Sequence, residues 1–361
     1  MLEGSVRWQP GAEGKKLVRI TPQLIKVSDD SHVWADVYEE DSAEIFRIQS
    51  DIAGQVARAL DVTLQGPERR SLEAKPTENL EAYDYYLQRR QGRFDEALVT
   101  LKRAAELDPR SGPRALELGS TLLMMRRYAE AEPYLDRAIA LVPEIADAYQ
   151  NKFLLYLDWG ADTVRARATL LDAMGKAGEA RVLSDAARNF GPLLLERIMG
   201  RDVRDKLMAL DVSAFSPDTA VYYWTRARIL RAAGQEARAL AYADSARARL
   251  ERVLELRPDA GEVHASLGFA LALLGRSEEA VREARRGVEL LPYSKDAISL
   301  TAWRLAGVLA LVGQDDAAVD ELERLLARPG YISADYLRID PGMDPLRDNP
   351  RFQKLVAEGK S

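Results

Sequence analysis

The chain contains no cysteine and only two histidines among its 361 residues. The lack of cysteine excludes disulfides, thiolate metal sites and cysteine nucleophiles. His32 and His264 lie in different predicted domains, so we expect no metal site built on a histidine pair. No apolar run approaches the roughly eighteen residues that a membrane-spanning helix needs, and no secretory signal pattern precedes the first predicted strand.

Motifs for catalysis are also missing. The segment GAEGKK at 11–16 has Gln9 where the first glycine of a phosphate loop belongs, and Lys16 replaces the serine or threonine that would bind magnesium. The sequence has no Ser-His-Asp arrangement, dinucleotide fingerprint or zinc-ligand spacing. We therefore predict that the chain is not an enzyme and uses no catalytic residue, metal or cofactor. The formal net charge of −6 argues against nucleic acid as the main partner.

What the sequence does contain is a repeat, whose pattern between Pro109 and Pro143 has a 34-residue spacing. Its small and apolar residues predict two helices that pack closely, because short side chains let helix axes approach. In the first copy these residues are Leu118, Gly119, Tyr128, Ala131, Leu135 and Ala138. The equivalent positions of a second copy, at 261–292, hold Leu267, Gly268, Gly275, Ala280, Ala284 and Gly287.

Glycine is the expected residue at the end of each predicted first helix, because it takes positive φ at little cost. Arg126 occupies this place in the copy at 112–145, which therefore lacks the glycine. The glycines at the other helix ends are Gly92, Gly160, Gly234, Gly275 and Gly313.

These residues resemble the tetratricopeptide repeat family over 78–330, with the clearest repeats at 78–111, 112–145, 261–297 and 298–330. The resemblance implies a mostly α fold, an α-solenoid of about six to seven helix pairs, some of them degenerate. We predict that 179–216 is one degenerate pair, broken at Gly191 and ended at Pro217. A second helix that runs to Leu256 is longer than the repeat requires, so its apolar residues need cover from a neighbour or a partner.

A different segment, 1–66, precedes the repeats. The runs LEGSVRW, LVRITPQLIKV and VWADVYEE predict three antiparallel strands, and an apolar stripe that includes Ile45, Ile48 and Ile52 predicts one helix after them. Pro22 removes a backbone donor in the second strand, so we expect that strand to be at an edge or bulged. Because one helix on three strands buries little surface, we expect a truncated domain that an earlier strand and helix would complete.

This segment resembles the second half of the amino-terminal α/β domain of the TolB translocation protein. The matching runs are LEGSVRW, LVRITPQLI and HVWADVYEEDSAEIFRIQSDIAGQVARAL. In bacterial relatives with this layout, an adenylate cyclase, a Ser/Thr protein kinase or a winged-helix DNA-binding domain comes first. The resemblance implies that the chain is the sensor or regulatory region of such a signalling protein, whose effector domain is absent from this sequence.

The segment at 331–361 resembles the closing segment of the same repeat proteins through YLRIDPGMDPLRDNPRF. We predict that it caps the last helix pair, since an uncapped solenoid end exposes apolar surface. The alternative is a mobile tail that grips a partner. The residues predicted to cover the last pair are Leu337, Met343, Leu346, Phe352 and Leu355.

The first helices of such repeats line a concave groove, so their outward residues are the candidate partner contacts. Aromatic anchors with nearby arginines suit a peptide or protein partner that carries carboxylates. The alternative is that the tryptophans fill gaps between irregular pairs and the arginines are solvated. The candidates are Tyr86, Arg89, Ser120, Leu123, Asn151, Leu154, Trp224, Arg228, Arg231, Phe269 and Trp303.

We therefore predict a protein-protein interaction scaffold that binds its partner in the groove, with the signalling role as the alternative. The chain is expected to be soluble and not to insert into a membrane itself. Its compartment stays open between the cytoplasm and, if a membrane span lies upstream, the periplasm.

Overall fold

A computed structural model of the chain describes residues 2–10, 16–26, 31–41, 45–59, 93–291 and 300–358. The chain divides into two compact units, 1–84 and 85–361. Among the described residues, those of the first unit form the strands and one helix, and the regular elements of the second unit are helices.

The amino-terminal unit is a small antiparallel sheet with one helix. Its elements are β1 (Leu2–Pro10), β2 (Lys16–Lys26), β3 (Ser31–Ala35), β4 (Tyr38–Asp41) and α1 (Ile45–Ala59). β1 pairs with β2, while β3 and β4 pair in succession with the two ends of β2. The three predicted strands and the helix are thus confirmed, with the third strand interrupted between Ala35 and Tyr38.

Pro22 lies at this interruption. It falls between the part of β2 that pairs with β4 and the part that pairs with β3, and its carbonyl accepts a 3.1 Å hydrogen bond from the amide of Asp36. The expectation of an edge strand is wrong, because β2 has partners on both sides. The register also shifts between Leu24 and Ile25, so the irregularity that the proline predicted is present close by.

The helical unit consists of antiparallel helix pairs that stack in sequence order. After α2 (Phe94–Leu107) the first two pairs are α3 (Gly112–Met124) with α4 (Tyr128–Leu141) and α5 (Ala146–Asp158) with α6 (Thr163–Ala177). The later pairs are α10 (Thr219–Ala232) with α11 (Glu236–Leu256), α12 (Gly261–Leu273) with α13 (Ser277–Leu290), and α14 (Leu300–Leu311) with α15 (Asp315–Leu326). This is the mostly α solenoid that the repeat pattern predicted.

Three short helices interrupt the series where one degenerate pair was predicted. They are α7 (Glu179–Phe190), α8 (Pro192–Met199) and α9 (Asp202–Ala209), followed by a 3₁₀ turn at Val212–Phe215. Gly191 and Gly200 separate them with φ of +82° and +98°, values that favour glycine. Because two chain reversals fit between 190 and 202, the segment makes three helices instead of two.

Glycine sets the closest helix contacts. A Cβ atom on Gly268 would lie 2.7 Å from the carbonyl oxygen of Ala280 and 2.9 Å from Cβ of Ala284, so only glycine lets α12 and α13 approach this closely. The long helix α11 ends at Leu256 as predicted, and its Leu250 is buried. Leu256 itself is 82% exposed, so the neighbours cover the helix only in part.

A carboxyl-terminal segment follows α15. It contains α16 (Ala334–Ile339), a 3₁₀ turn at Pro341–Leu346 and α17 (Pro350–Glu358). Leu337, Met343, Leu346 and Phe352 are buried in it, as the predicted cap requires, whereas Leu355 is half-buried. Among the described helices, none has the length and apolar character that crossing a lipid bilayer requires.

Candidate partner-binding face

The first helices of the pairs, α3, α5, α10, α12 and α14, turn toward the carboxyl-terminal segment. We call the surface they present there the inner face. Residues 328–346, which we call the strap, lie against it. Tyr336 of the strap packs edge-on against Trp303 of α14, with ring centroids 6.5 Å apart, and Ser333 bonds to the end of α5.

Beside the strap the inner face opens into a cleft with aromatic walls. α10 contributes Trp224 and Arg228, α12 contributes Phe269, α14 contributes Trp303, and the strap closes one side with Met343. Trp224 and Phe269 pack edge-on with their ring centroids 6.3 Å apart. The remaining lining residues are Arg188, Gly191, Ser266, Arg304, Gly307, Asp340 and Gly342.

Arg228 is the arginine of this cleft that lies beside the aromatic rings. Its guanidinium lies 5.1 Å from the ring centroid of Phe269 and 5.8 Å from that of Trp224, both within the range of cation–π attraction. It makes no hydrogen bond or ion pair to any described residue. Burial among the rings lowers the pKa of the guanidinium, and the nearby carboxylate of Asp340 opposes that shift. An arginine stays charged in proteins, so the cleft offers a cation without an anion in contact.

Asp340 is the only acidic residue among the described ones that line the cleft, against the three arginines Arg188, Arg228 and Arg304. Its Oδ1 accepts a 2.8 Å hydrogen bond from the amide of Gly342. Burial raises the pKa of the Asp340 carboxyl, and Gly342, Arg228 and Trp303 each act to lower it. Trp303 lies close enough to exert this influence, yet neither its Nε1 nor Oδ2 of Asp340 has a partner in hydrogen-bond geometry within the described chain.

A second pocket lies on the other side of Trp303. Asn151 and Leu154 of α5 line it together with Tyr331, Ile332 and Tyr336 of the strap. The amide nitrogen of Asn151 already donates to the carbonyl of Asp147 at 2.7 Å. The two pockets place six of the predicted contact residues around the strap, namely Asn151, Leu154, Trp224, Arg228, Phe269 and Trp303.

Three predicted contacts need correction. Ser120 and Leu123 are buried, with exposed fractions of 4% and 0%, because they face the helix packing and not the open surface. Arg231 lies at the end of α10 outside the cleft, where it donates to the carbonyl of Leu273 at 3.1 Å. Tyr86 and Arg89 fall outside the described residues.

Sequence reasoning missed the residues that the strap and the short helices bring to the cleft. Asp340 and Met343 were assigned to a cap, and Arg188 sits on a helix that lacks the repeat pattern. One signal was visible in the sequence: Arg126 stands where the other repeats have glycine, and it takes a positive φ of 58°. Its side chain binds the strap, which explains why a costly residue occupies that turn.

Comparisons with known proteins support the assignment of the repeats. The tetratricopeptide repeat family model matches residues 88–152. A Rhizobium meliloti (strain 1021) protein named "Putative adenylate cyclase 3" is 29% identical over 157 residues, which cover 41% of this chain and 26% of that protein. The chain therefore spans about a quarter of the length of the curated relative that it matches.

The solved structures that show a partial similarity include the following three. A chain of "Crystal structure of APC/C hetero-tetramer Cut9-Hcn1" has a TM-score of 0.40 at 14% identity, covering 85% of this chain and 56% of that one. A thermophilic tetratricopeptide repeat protein of Thermus thermophilus has a TM-score of 0.33 at 21% identity, covering 63% and 95%. The type IV pilus biogenesis factor PilW has a TM-score of 0.32 at 12% identity, covering 78% and 100%.

The resemblance of the amino-terminal unit to the TolB domain stays a prediction. The family match over 88–152 includes α2, α3 and α4. This part of the chain contains the predicted helix pair at 112–145 with Arg126 in its turn. Residues 88–152 of the helical unit match the tetratricopeptide repeat model, and the described part of the unit is an α-solenoid of stacked helix pairs.

Proposed function

We propose that the chain is a non-catalytic protein-protein interaction scaffold that binds a peptide or protein partner on its inner face. The observation that carries the proposal is Arg228, a cation without a contacting anion among the described residues, between the rings of Trp224 and Phe269. Arg228 is half-buried, and a charge that is partly removed from water gains from an anionic partner, so an arginine held in this way is suited to an anion that arrives from outside.

The chemistry of the cleft favours a partner segment with a carboxylate next to an apolar or aromatic side chain. The carboxylate would pair with Arg228, and the apolar group would lie against Trp224, Phe269 and Met343. Tryptophan and arginine are the residues on which binding energy most often concentrates at interfaces. Three arginines and one aspartate line the cleft, and this excess of positive charge also favours an acidic partner.

Within the described residues, no group of three or more histidine, aspartate or glutamate side chains is arranged to hold a metal ion. Tetratricopeptide repeats act in general through their binding surfaces, and the net charge of −6 disfavours nucleic acid as the partner.

The test is a titration of the whole chain with defined peptides, followed by the fluorescence of the cleft tryptophans. One peptide carries Glu and Phe in alternation, and a second has Lys in place of each Glu. We expect the acidic peptide to bind and the basic one not to bind. Arg228→Gln should weaken the acidic peptide roughly 10-fold or more, since a charge-assisted hydrogen bond contributes about 1.5–3 kcal/mol.

Arg282→Gln is the matched control. Arg282 is exposed on α13 and pairs with Glu279 at 3.8 Å, so the change removes one positive charge without touching the cleft. Equal affinity of the two peptides, or an equal loss in both variants, would show that the cleft does not select acidic partners.

The second candidate function is the regulatory region of a bacterial signalling protein. The similarity to the adenylate cyclase 3 protein of Rhizobium meliloti favours it, although that match covers 41% of this chain. The test is the genomic reading frame upstream of the first codon. A cyclase, kinase or winged-helix domain encoded there would support the role, and an unrelated neighbouring gene in another frame would contradict it.

A further inference from the structure

The strap connects the two halves of the solenoid across the inner face. It follows the last pair, α14 and α15, yet its bonds reach Met124 of α3, Asp158 of α5 and Arg197 of α8, which come more than a hundred residues earlier. Tyr336 and Leu337 are 1% and 0% exposed, whereas Tyr331, Ile332 and Ile339 of the strap are half-buried. A cap on the last pair alone would not need contacts this far away.

Residues of the inner face recognise the main chain of the strap and the residues just before it. The guanidinium of Arg126 donates to three carbonyl oxygens, those of Leu326 at 2.9 Å, Arg328 at 3.1 Å and Ile332 at 3.2 Å. The amide of Gly330 donates to the carbonyl of Met124 at 2.9 Å. Recognition of a backbone by arginine and by free helix-end carbonyls is how a protein binds an extended peptide.

The end of α5 binds the next part of the strap. Oδ1 of Asp158 accepts from the amide of Ser333, and the carbonyl of Asp158 accepts from Oγ of Ser333, both at 3.0 Å. The amide of Gly160 donates to Oδ2 of Asp335 at 2.8 Å. Further along, Arg197 of α8 donates to the carbonyl of Ile339 at 2.9 Å.

The strap leaves several polar groups of the inner face unsatisfied. In the described part of the chain, buried atoms without a hydrogen-bond partner include Nε of Arg126, Nε of Arg188, Nε1 of Trp303 and Oδ2 of Asp340. All four belong to the strap, to residues that bind it, or to the adjoining cleft. Three further atoms of this kind, on Tyr149, Thr225 and Arg226, lie elsewhere in the described residues, so four of the seven surround the strap and the cleft. Hydrogen-bonding groups are therefore left without partners where the strap meets the inner face.

We propose that the strap is an autoinhibitory occupant of the inner face, held there in place of a partner segment that displaces it. The inference rests on the proposed function, because it assumes that partners bind on the inner face. It adds that Arg126, Met124, Asp158 and Gly160 form hydrogen bonds with the partner segment in the way that they form them with the strap. The displacing segment supplies a carboxylate for Arg228 and an acceptor for Nε of Arg188, which is the chemistry of an acidic peptide.

The experiment uses a fluorescent synthetic peptide with the sequence of residues 328–346 and the full chain. In the wild-type chain the strap competes with the peptide, so binding is weak, because affinity falls with the fraction of open face. The variant with Ser333→Ala and Asp335→Ala weakens only the strap of the chain, while the peptide keeps both side chains. We expect the variant to bind the peptide at least 10-fold more tightly.

Asp348→Ala is the control, since Asp348 is exposed just beyond the strap and the change removes the same charge. The single variant Ser333→Ala, which retains the ion pair between Asp335 and Arg338, replaces the double variant if that one does not fold. A peptide with both alanines should bind no variant tightly.

Unchanged peptide affinity in a folded Ser333 variant overturns the proposal, whether or not hydrogen exchange of the strap increases. This result would be independent of the proposed function, which is tested at Arg228 with peptides unrelated to the strap. The converse pair of results is that the variant with Ser333→Ala and Asp335→Ala binds the strap peptide tightly while the acidic and basic peptides bind the chain equally well. That pair of results would contradict only the assignment of the cleft as a site for acidic partners.

Discussion

The amide of Ser333 lies 3.0 Å from Oδ1 of Asp158, although 175 positions separate the two residues in the chain. Asp158 is 1% exposed, and no cation contacts its carboxyl within the described residues. Burial raises the pKa of Asp158 well above its usual value, against the lowering effects of Ser333 and of the more distant Arg126. One contact therefore joins the start of the solenoid to its end and places a titratable group between them.

The stability of the chain should depend on pH through Asp158. A raised pKa in the folded state means that folding favours the protonated carboxyl, so this contribution is full below the unfolded pKa of about 3.9 and is lost as the pH rises through the folded pKa. Asp158→Asn keeps an acceptor for Ser333 and does not ionise. We expect the urea midpoint of the variant, relative to that of the wild type, to increase as the pH rises from about 4 to about 8.

The difference between the two proteins isolates Asp158 from other buried groups such as Asp340 and Tyr336. A constant difference at every pH would mean that the ionisation of Asp158 does not change on folding.

Arg126 should show two opposing effects. Its φ of 58° is costly for a residue with a Cβ atom, by about 1–2 kcal/mol. Its guanidinium makes three hydrogen bonds, one to the end of α15 and two to the strap. Arg126→Ala loses the bonds and keeps the strained φ, whereas Arg126→Gly loses the bonds and relieves it. We expect urea unfolding to rank the wild type above the glycine variant and the glycine variant about 1 kcal/mol above the alanine variant.

Arg127→Ala serves as the control, because Arg127 lies next in the chain and pairs with Glu130 without reaching the strap. A glycine variant more stable than the wild type would show that the hydrogen bonds of Arg126 to the strap contribute less than the strain.

The close approach of α12 and α13 gives a third prediction. Gly268→Ala places a methyl group 2.7 Å from the carbonyl oxygen of Ala280 and should destabilise the chain by about 1–3 kcal/mol, since overpacking forces the helices apart. Gly175 lies inside α6 with no atom near its missing Cβ. Gly175→Ala should therefore stabilise by about 0.5–1 kcal/mol, as helix propensity predicts. Thermal or urea unfolding of the two variants checks the opposite signs.

Most of the helix pairs and turns could be predicted from the sequence. Small residues such as Gly268 and Ala284 predicted the helix pairs, and glycines such as Gly275 predicted the turns, because both follow from contacts between neighbours in the chain. The same pattern placed Trp224 and Trp303 on first helices, which the structure brings to one cleft.

The repeat pattern could not predict the position of the strap. The pattern predicts contacts between neighbouring helices, whereas the contacts of the strap join residues far apart in the chain. The repeat pattern leaves Arg126 unexplained, and the structure explains it by hydrogen bonds to the carbonyls of Arg328 and Ile332 in the strap. Arg228 and Arg231 are three residues apart on α10, yet only Arg228 enters the cleft, because the stacking of irregular pairs sets which face is covered.

Hydrogen–deuterium exchange of the strap in the full chain tests the central claim most directly. The informative amides are those of Gly330, Ser333, Tyr336 and Leu337, whose acceptors are the carbonyl of Met124, Oδ1 of Asp158, and Oγ and the carbonyl of Ser333. We expect these amides to be protected well above the level of an unstructured peptide and to lose that protection together in the variant with Ser333→Ala and Asp335→Ala. Exchange at the unstructured rate in the wild type would contradict the claim that the strap occupies the inner face.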